Sequence, residues 1–155
     1  MVGVSLLVPV GADGLLVADV TGRGDLLLPI GSVEDGHTPE QAAEHVLLGA
    51  PGGLSIFRQV AVDRVQTRRR QVITHIVATR CLTHEEAECL TYRDVRTTLC
   101  ALPITQVIAE LPERSRVRTL LGLRALAADE TIYLEAGVAR HTKPTDPAHR
   151  FVGIR

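Results

Sequence analysis

The stretch between residues 28 and 54 constrains this chain more than any other. Leu28-Pro29-Ile30 ends an apolar run, Gly31-Ser-Val-Glu-Asp-Gly-His37 is a polar loop punctuated by glycine, and Thr38-Pro39-Glu40-Gln41 is a helix start. The threonine supplies an N-cap oxygen, proline at the first helical position gives up an N–H that has no helical partner, and Gln41 is placed to close a capping box. Gly49-Ala-Pro51-Gly-Gly53 cannot sustain a helix. The helix is therefore predicted from Thr38 to about Leu48, between two loops and flanked by extended segments.

Elsewhere the pattern is mostly extended. Residues 4–10 and 15–20 are short Val- and Leu-rich runs joined by Gly11-Ala-Asp-Gly14, which predicts a hairpin, and residues 26–30 predict a further short extended piece. Residues 55–65 and 72–79 predict two long strands around the polar turn Thr67-Arg-Arg-Arg70, and residues 88–95 alternate well enough for one more strand. Residues 114–127, with Val117, Leu120, Leu121, Leu123 and Leu126, predict a closing amphipathic helix. Thr131-Ile-Tyr-Leu134 can pair as an edge strand, and from about Val138 the prolines Pro144 and Pro147 among polar residues predict a loose tail.

Residues 31–53 resemble, without a gap, the Nudix box, G-x5-E-x7-R-E-U-x-E-E-x-G-U, where U is a bulky aliphatic residue. Gly31, Leu47 and Gly52 stand at the family's first glycine, aliphatic residue and second glycine. Leu28-Pro29, Val33-Glu34, Gly36, Thr38-Pro39-Glu40 and Ala42-Ala43 match looser family habits. The resemblance implies a Nudix fold in the α/β (α+β) class, a mixed β-sheet sandwiched between helices. The Nudix-like domain is expected over residues 1–128, with residues 129–155 as a C-terminal extension.

All five charged signature positions differ. His37 stands at the loop glutamate, His45-Val46 at Arg-Glu, and Gly49-Ala50 at Glu-Glu. In the family, the acids at the positions of 46, 49 and 50 share one helix face and converge on divalent cations, which require hard oxygen ligands. Val46, Gly49 and Ala50 offer none, so the resemblance implies the fold and argues against the usual metal-dependent reaction. His37 and His45, with Glu44 to orient one of them, are then candidates for acid–base work, or are residues left without a role once a metal site is lost. Arg58, Arg70 and Glu34 are candidate ligand contacts, although arginines in a turn also describe a solvated hairpin tip. His75, among Val72, Ile73, Ile76 and Val77, is expected as a buried, hydrogen-bonded core histidine.

The leading expectation is a Nudix-fold protein that binds or transforms a small nucleotide-like or phosphorylated metabolite, with no metal or other cofactor. One alternative is a hydrolase of nucleoside diphosphate-linked compounds using Mg²⁺ or Mn²⁺ on displaced carboxylates among Glu34, Glu40, Glu44 and Glu86. Another is a non-catalytic subunit whose cleft or hairpin forms a homodimer face. Composition narrows the partners. The chain has 155 residues, 45 % of them hydrophobic, enough for one core and too few for two ordinary domains. Its formal charge of −1 gives no reason to expect a nucleic-acid or membrane partner, and no apolar run approaches a membrane span, so a cytoplasmic protein is expected. Cys81, Cys89 and Cys100 fit neither a disulfide framework nor a zinc knuckle and are expected as reduced, mostly buried thiols.

Overall fold

A computed structural model of the chain describes residues 1–140 apart from Thr21, Arg23 and Val95. The tail around Pro144 and Pro147 therefore lies outside the described residues. A six-stranded mixed sheet is built from β1 (Val2–Leu7), β5 (Ile30–Ser32), β7 (Ile56–Gln66), β8 (Gln71–Thr79), β11 (Ile132–Glu135) and β12 (Val138–Arg140), in the order β12-β11-β7-β8-β1-β5. β1 runs parallel to β8 and antiparallel to β5, and β7 pairs antiparallel with β8 as the arginine-tipped hairpin expected. A second sheet holds β2 (Pro9–Val10), β3 (Gly14–Asp19), β4 (Leu26–Leu27) and β10 (Thr98–Pro103), and a short ladder joins β6 (Leu47–Leu48) to β9 (Thr91–Tyr92).

Alternation along the strands divides the apolar residues between two cores. Val4, Leu6 and Val77 face the core shared with Ala43, Val46 and Leu47, under helix α1 (Pro39–Glu44). Leu7, Ile76 and Ala78 face the opposite core with Ala125, under helix α4 (Glu113–Ala127). The large sheet is thus covered by a helix on each face. Helix α2 (His84–Glu88) and helix α3 (Ile104–Glu110) complete the element order.

Several local expectations change. The N-terminal hairpin forms only at its turn, where Pro9 and Val10 pair with Leu15 and Gly14; β1 belongs to the large sheet and β3 to the small one. Pro9 has no N–H to continue a ladder, and the chain changes sheets there. The strand expected over residues 88–95 is instead the end of α2 followed by the two-residue β9; α2 starts from a capping box in which the Thr83 hydroxyl accepts from Glu86 N and the Glu86 carboxylate accepts from Thr83 N. Helix α4 has the expected bounds within one residue but turns Thr119, Gly122 and Ala125 to the sheet and leaves Leu120 46 % exposed. A Cβ on Gly122 would lie 3.0 Å from Leu7 Cδ1, so the helix sits too close for a leucine stripe.

The extension after residue 128 is tied into the large sheet. β11 pairs parallel with β7 and β12 pairs antiparallel with β11, so among the described residues the outer edge is β12. Asp63, fully buried, accepts from Arg118 Nε at 2.6 Å and from Gly137 N at 3.1 Å, joining β7, α4 and the β11–β12 turn. The free thiols also differ from expectation: Cys81 and Cys89 are exposed and Cys100 is half-buried. No helix among the described residues is long and apolar enough to cross a membrane.

Candidate functional site

A cleft of about 260 Å³ lies beside the edge strand β5, lined by Gly31, Ser32, Glu34, His37, Ala42, His45, Val46 and Arg93. It brings together three of the six candidate residues, Glu34, His37 and His45. Glu34 and His37 belong to the loop between β5 and α1, which the His37 N–H to Glu34 carbonyl bond (3.0 Å) folds into a turn. His45 is the C-cap of α1. Its Nδ1 stands 2.8 Å from the Gln41 carbonyl oxygen. A carbonyl only accepts, so Nδ1 carries a proton, and in the neutral ring the lone pair is on Nε2. The orienting role expected for Glu44 belongs to this backbone carbonyl, and Glu44 is an exposed residue that does not line the cleft.

The two arginine candidates are used elsewhere. Arg58 donates to the Glu130 carbonyl (2.6 Å), the Ala125 carbonyl (2.8 Å) and the Gln59 carbonyl (3.2 Å), with Asp129 3.6 Å from its Nε. It caps the C-terminal end of α4, where unpaired carbonyls and the helix dipole favour a cation. Arg70 closes the β7–β8 turn, its N–H donating to Thr67 Oγ1 and its carbonyl accepting from Thr67 N, and it borders a separate shallow depression with Thr67, Arg68 and Arg69.

Arg93 is the lining residue that sequence reasoning missed. It follows β9, whose Tyr92 hydroxyl accepts from Ile30 N (2.9 Å) and donates to the Ile30 carbonyl (2.6 Å). This double bond to one residue pins β9 to the start of β5 and sets Arg93 Nη2 3.9 Å from where a Cβ on Gly31 would stand. No motif marks Arg93, because β9 acquires its partner β6 only in the folded chain.

The helix predicted to reach Leu48 stops at Glu44, and Leu47–Leu48 pair with Tyr92 and Thr91. Gly49 then takes φ +97°, and a Cβ on it would lie 2.2 Å from the Cys89 carbonyl oxygen. Val46 is 2 % exposed and packs onto Gly31. Positions 46, 49 and 50 therefore do not share a helix face and present no oxygen ligand, so the donor set does not fit a divalent cation. Among the described residues no three His, Cys, Asp or Glu side chains are grouped to hold a metal. Of the displaced carboxylates considered, Glu34 lines the cleft, whereas Glu86 is taken up in the α2 cap.

His75 is a core residue as expected. It is 5 % exposed, with Nδ1 2.6 Å from Gln59 Oε1. Burial pushes its pKa down, opposed by the negative charge of Glu40.

No known family profile matches the sequence, and no curated protein matches it. The fold does have known counterparts. It superposes on a UDP-X diphosphatase with a TM-score of 0.58 at 16 % identity, covering 86 % of this chain and 66 % of that one. It superposes on the mutator MutT protein from Bacillus halodurans with a TM-score of 0.61 at 12 % identity, covering 85 % and 86 %. A Nudix hydrolase from Nitrosomonas europaea gives a TM-score of 0.58 at 12 % identity, covering 86 % and 76 %. The chain spans just under two thirds of the length of the UDP-X diphosphatase. These likenesses give the chain the Nudix fold, with its mixed sheet between helices; its chemistry has to be argued from the cleft.

Proposed function

We propose that this chain binds a small phosphorylated or nucleotide-like metabolite in the cleft beside β5 and does so without metal-dependent diphosphate hydrolysis. One observation carries the reading: the stretch aligned with the metal-binding glutamates is a strand and a glycine turn where the box helix would continue. A metal that polarises a diphosphate and activates water has no carboxylate cage there. What the cleft offers is one exposed arginine, Arg93, one carboxylate, Glu34, and two imidazoles. Any proton transfer falls to His45, whose Nε2 lone pair is set by the Gln41 carbonyl, and to His37. The diphosphatase named among the structural neighbours suggests a phosphate-bearing ligand, and Arg93 suits one.

The reading is tested by calorimetric titration of Mg²⁺ and Mn²⁺ into the protein, alone and with a panel of nucleoside diphosphate compounds, followed by a phosphate-release assay. Silence with the metals and binding of a phosphorylated compound in EDTA is the expected result. Tight metal binding accompanied by phosphate release would overturn it and restore a hydrolase using relocated carboxylates.

A further inference from the structure

We infer that the tip of the β7–β8 hairpin is a second anion site, which holds a condensed phosphate chain of three or more groups through Arg68, Arg69 and Arg70. It lies apart from the cleft: the depression of about 510 Å³ at the tip is lined by Thr67, Arg68, Arg69 and Arg70 and shares no residue with the cleft beside β5. Uncompensated charge, a clamped turn and a lining without apolar surface together carry the assignment.

The chain as a whole has a formal charge of −1, yet residues 56–79 hold five arginines and one acid, Asp63. That acid is engaged by Arg118, whose Nε lies 2.6 Å from Asp63 Oδ2. Glu135, which stands opposite Arg64 on the neighbouring β11, is taken by Arg140 Nη2 at 2.6 Å. Among the described residues, the guanidinium groups of Arg68, Arg69 and Arg70 make no hydrogen bond or ion pair. Three like charges in one exposed turn repel one another, and an anion bound among them relieves that repulsion.

The turn is held by groups other than these guanidiniums. Thr67 Oγ1 accepts from Arg70 N at 3.1 Å and donates to the Arg70 carbonyl at 2.8 Å. Thr67 N donates to the same carbonyl at 2.9 Å, and Gln66 Nε2 donates to the Thr67 carbonyl at 2.9 Å. The backbone that carries the arginines is therefore fixed while their side chains keep all their donors, which lowers the cost of ordering them around a ligand.

A single exposed arginine contact contributes little in water. The tip therefore responds to ligands that engage several guanidinium groups at once, and a phosphate chain places adjacent anionic groups within the width of one turn. An extended acidic peptide sets the carboxylates of one face about 6.4–6.8 Å apart, so fewer of them reach a four-residue turn. The lining holds no aromatic or large apolar side chain, so bases find no stacking platform there and a bilayer no anchor.

Orthophosphate, pyrophosphate, tripolyphosphate and ATP are titrated calorimetrically into the full chain in EDTA at low salt. Arg68→Gln/Arg69→Gln, Thr67→Val and Arg93→Gln are compared with the unmodified protein, each checked by circular dichroism. Affinity is expected to rise from orthophosphate to tripolyphosphate, with ATP no tighter than tripolyphosphate because its base gains no contact. Tripolyphosphate binding should weaken about ten-fold or more in Arg68→Gln/Arg69→Gln. In Thr67→Val, which keeps every charge but loosens the turn, it should weaken about two- to five-fold. It should be unchanged in Arg93→Gln. No saturable binding of tripolyphosphate, or equal affinity in Arg68→Gln/Arg69→Gln or in Thr67→Val, overturns the assignment. So does tighter binding of a tetraglutamate peptide or a thymidine tetranucleotide, which would give the tip to a different partner. Loss of tripolyphosphate binding in Arg93→Gln alone would place the phosphate in the cleft, upholding the proposed function and sinking this inference.

Discussion

Replacing Gly49 by alanine separates two costs that the structure allows to be worked out. The first is conformational: an L-residue held at φ +97° is strained, by about 1–2 kcal/mol. The second is steric. The new Cβ would start 2.2 Å from the Cys89 carbonyl oxygen, about 1 Å inside ordinary contact. The atom in the way is backbone, so the β6–β9 ladder must open, at a cost of about 1–3 kcal/mol for an overpacked position. Gly52→Ala is the control, because Gly52 has φ +72° and nothing within 4 Å of its Cβ position. Gly49→Ala is therefore expected to lose about 2–5 kcal/mol and Gly52→Ala only about 1–2 kcal/mol, out of a total of about 5–15 kcal/mol for a domain of this kind. Urea unfolding followed by circular dichroism and extrapolated linearly gives both values. Loss in Gly49→Ala within about 0.5 kcal/mol of that in Gly52→Ala would refute the steric reasoning, and with it the claim that the fold excludes a glutamate at position 49.

Two further predictions follow from groups outside the cleft. Arg58→Ala leaves the Ala125 and Glu130 carbonyls without their donor; a loss of about 1.5–3 kcal/mol in the same urea assay is expected, with affinity for the phosphorylated compound bound in EDTA unchanged, and a selective loss of affinity would return Arg58 to the ligand site. His75 has a folded pKa below its unfolded value of 6.5 because it is buried, so the unfolded chain binds the extra proton first. Its contribution to stability is fully present above that value and is lost as pH falls towards the folded pKa. Between about pH 7.5 and about pH 5 the protein should lose more stability than His75→Gln; equal losses in melts of the two proteins would show that His75 is not the group responsible.

Local chemistry made some elements legible. Thr38-Pro39-Glu40-Gln41 states its helix start in sequence and forms the full capping box, with Thr38 N donating to Gln41 Oε1 at 2.8 Å and Gln41 N donating to Thr38 Oγ1 at 3.1 Å. The β7–β8 hairpin is equally local, since both strands and their turn are contiguous. Thr83-His-Glu-Glu86 carries the same capping signal, but the alternation of residues 88–95 points to a strand over its last turn. Leucine spacing in α4 misled for a different reason: how near a helix lies to its sheet is a property of the sheet, and here Leu7 leaves room only for Gly122.

The candidate site divides in the same way. Glu34, His37 and His45 lie in the loop–helix–loop whose shape the glycines, proline and caps already specify, and they meet in the cleft. Arg58 looked like a ligand contact because alternation fixes only which sheet face a residue takes; α4 ends over that face and captures the guanidinium. By itself, then, the sequence determined the Nudix framework and the absence of oxygen ligands at positions 46, 49 and 50, since both reside in residue identity and spacing along one segment. Only the tertiary structure decided that the box helix ends at Glu44 and that Arg93 stands over Gly31. Both depend on β6 finding β9 some forty residues later in the chain, a non-local pairing that no local pattern encodes.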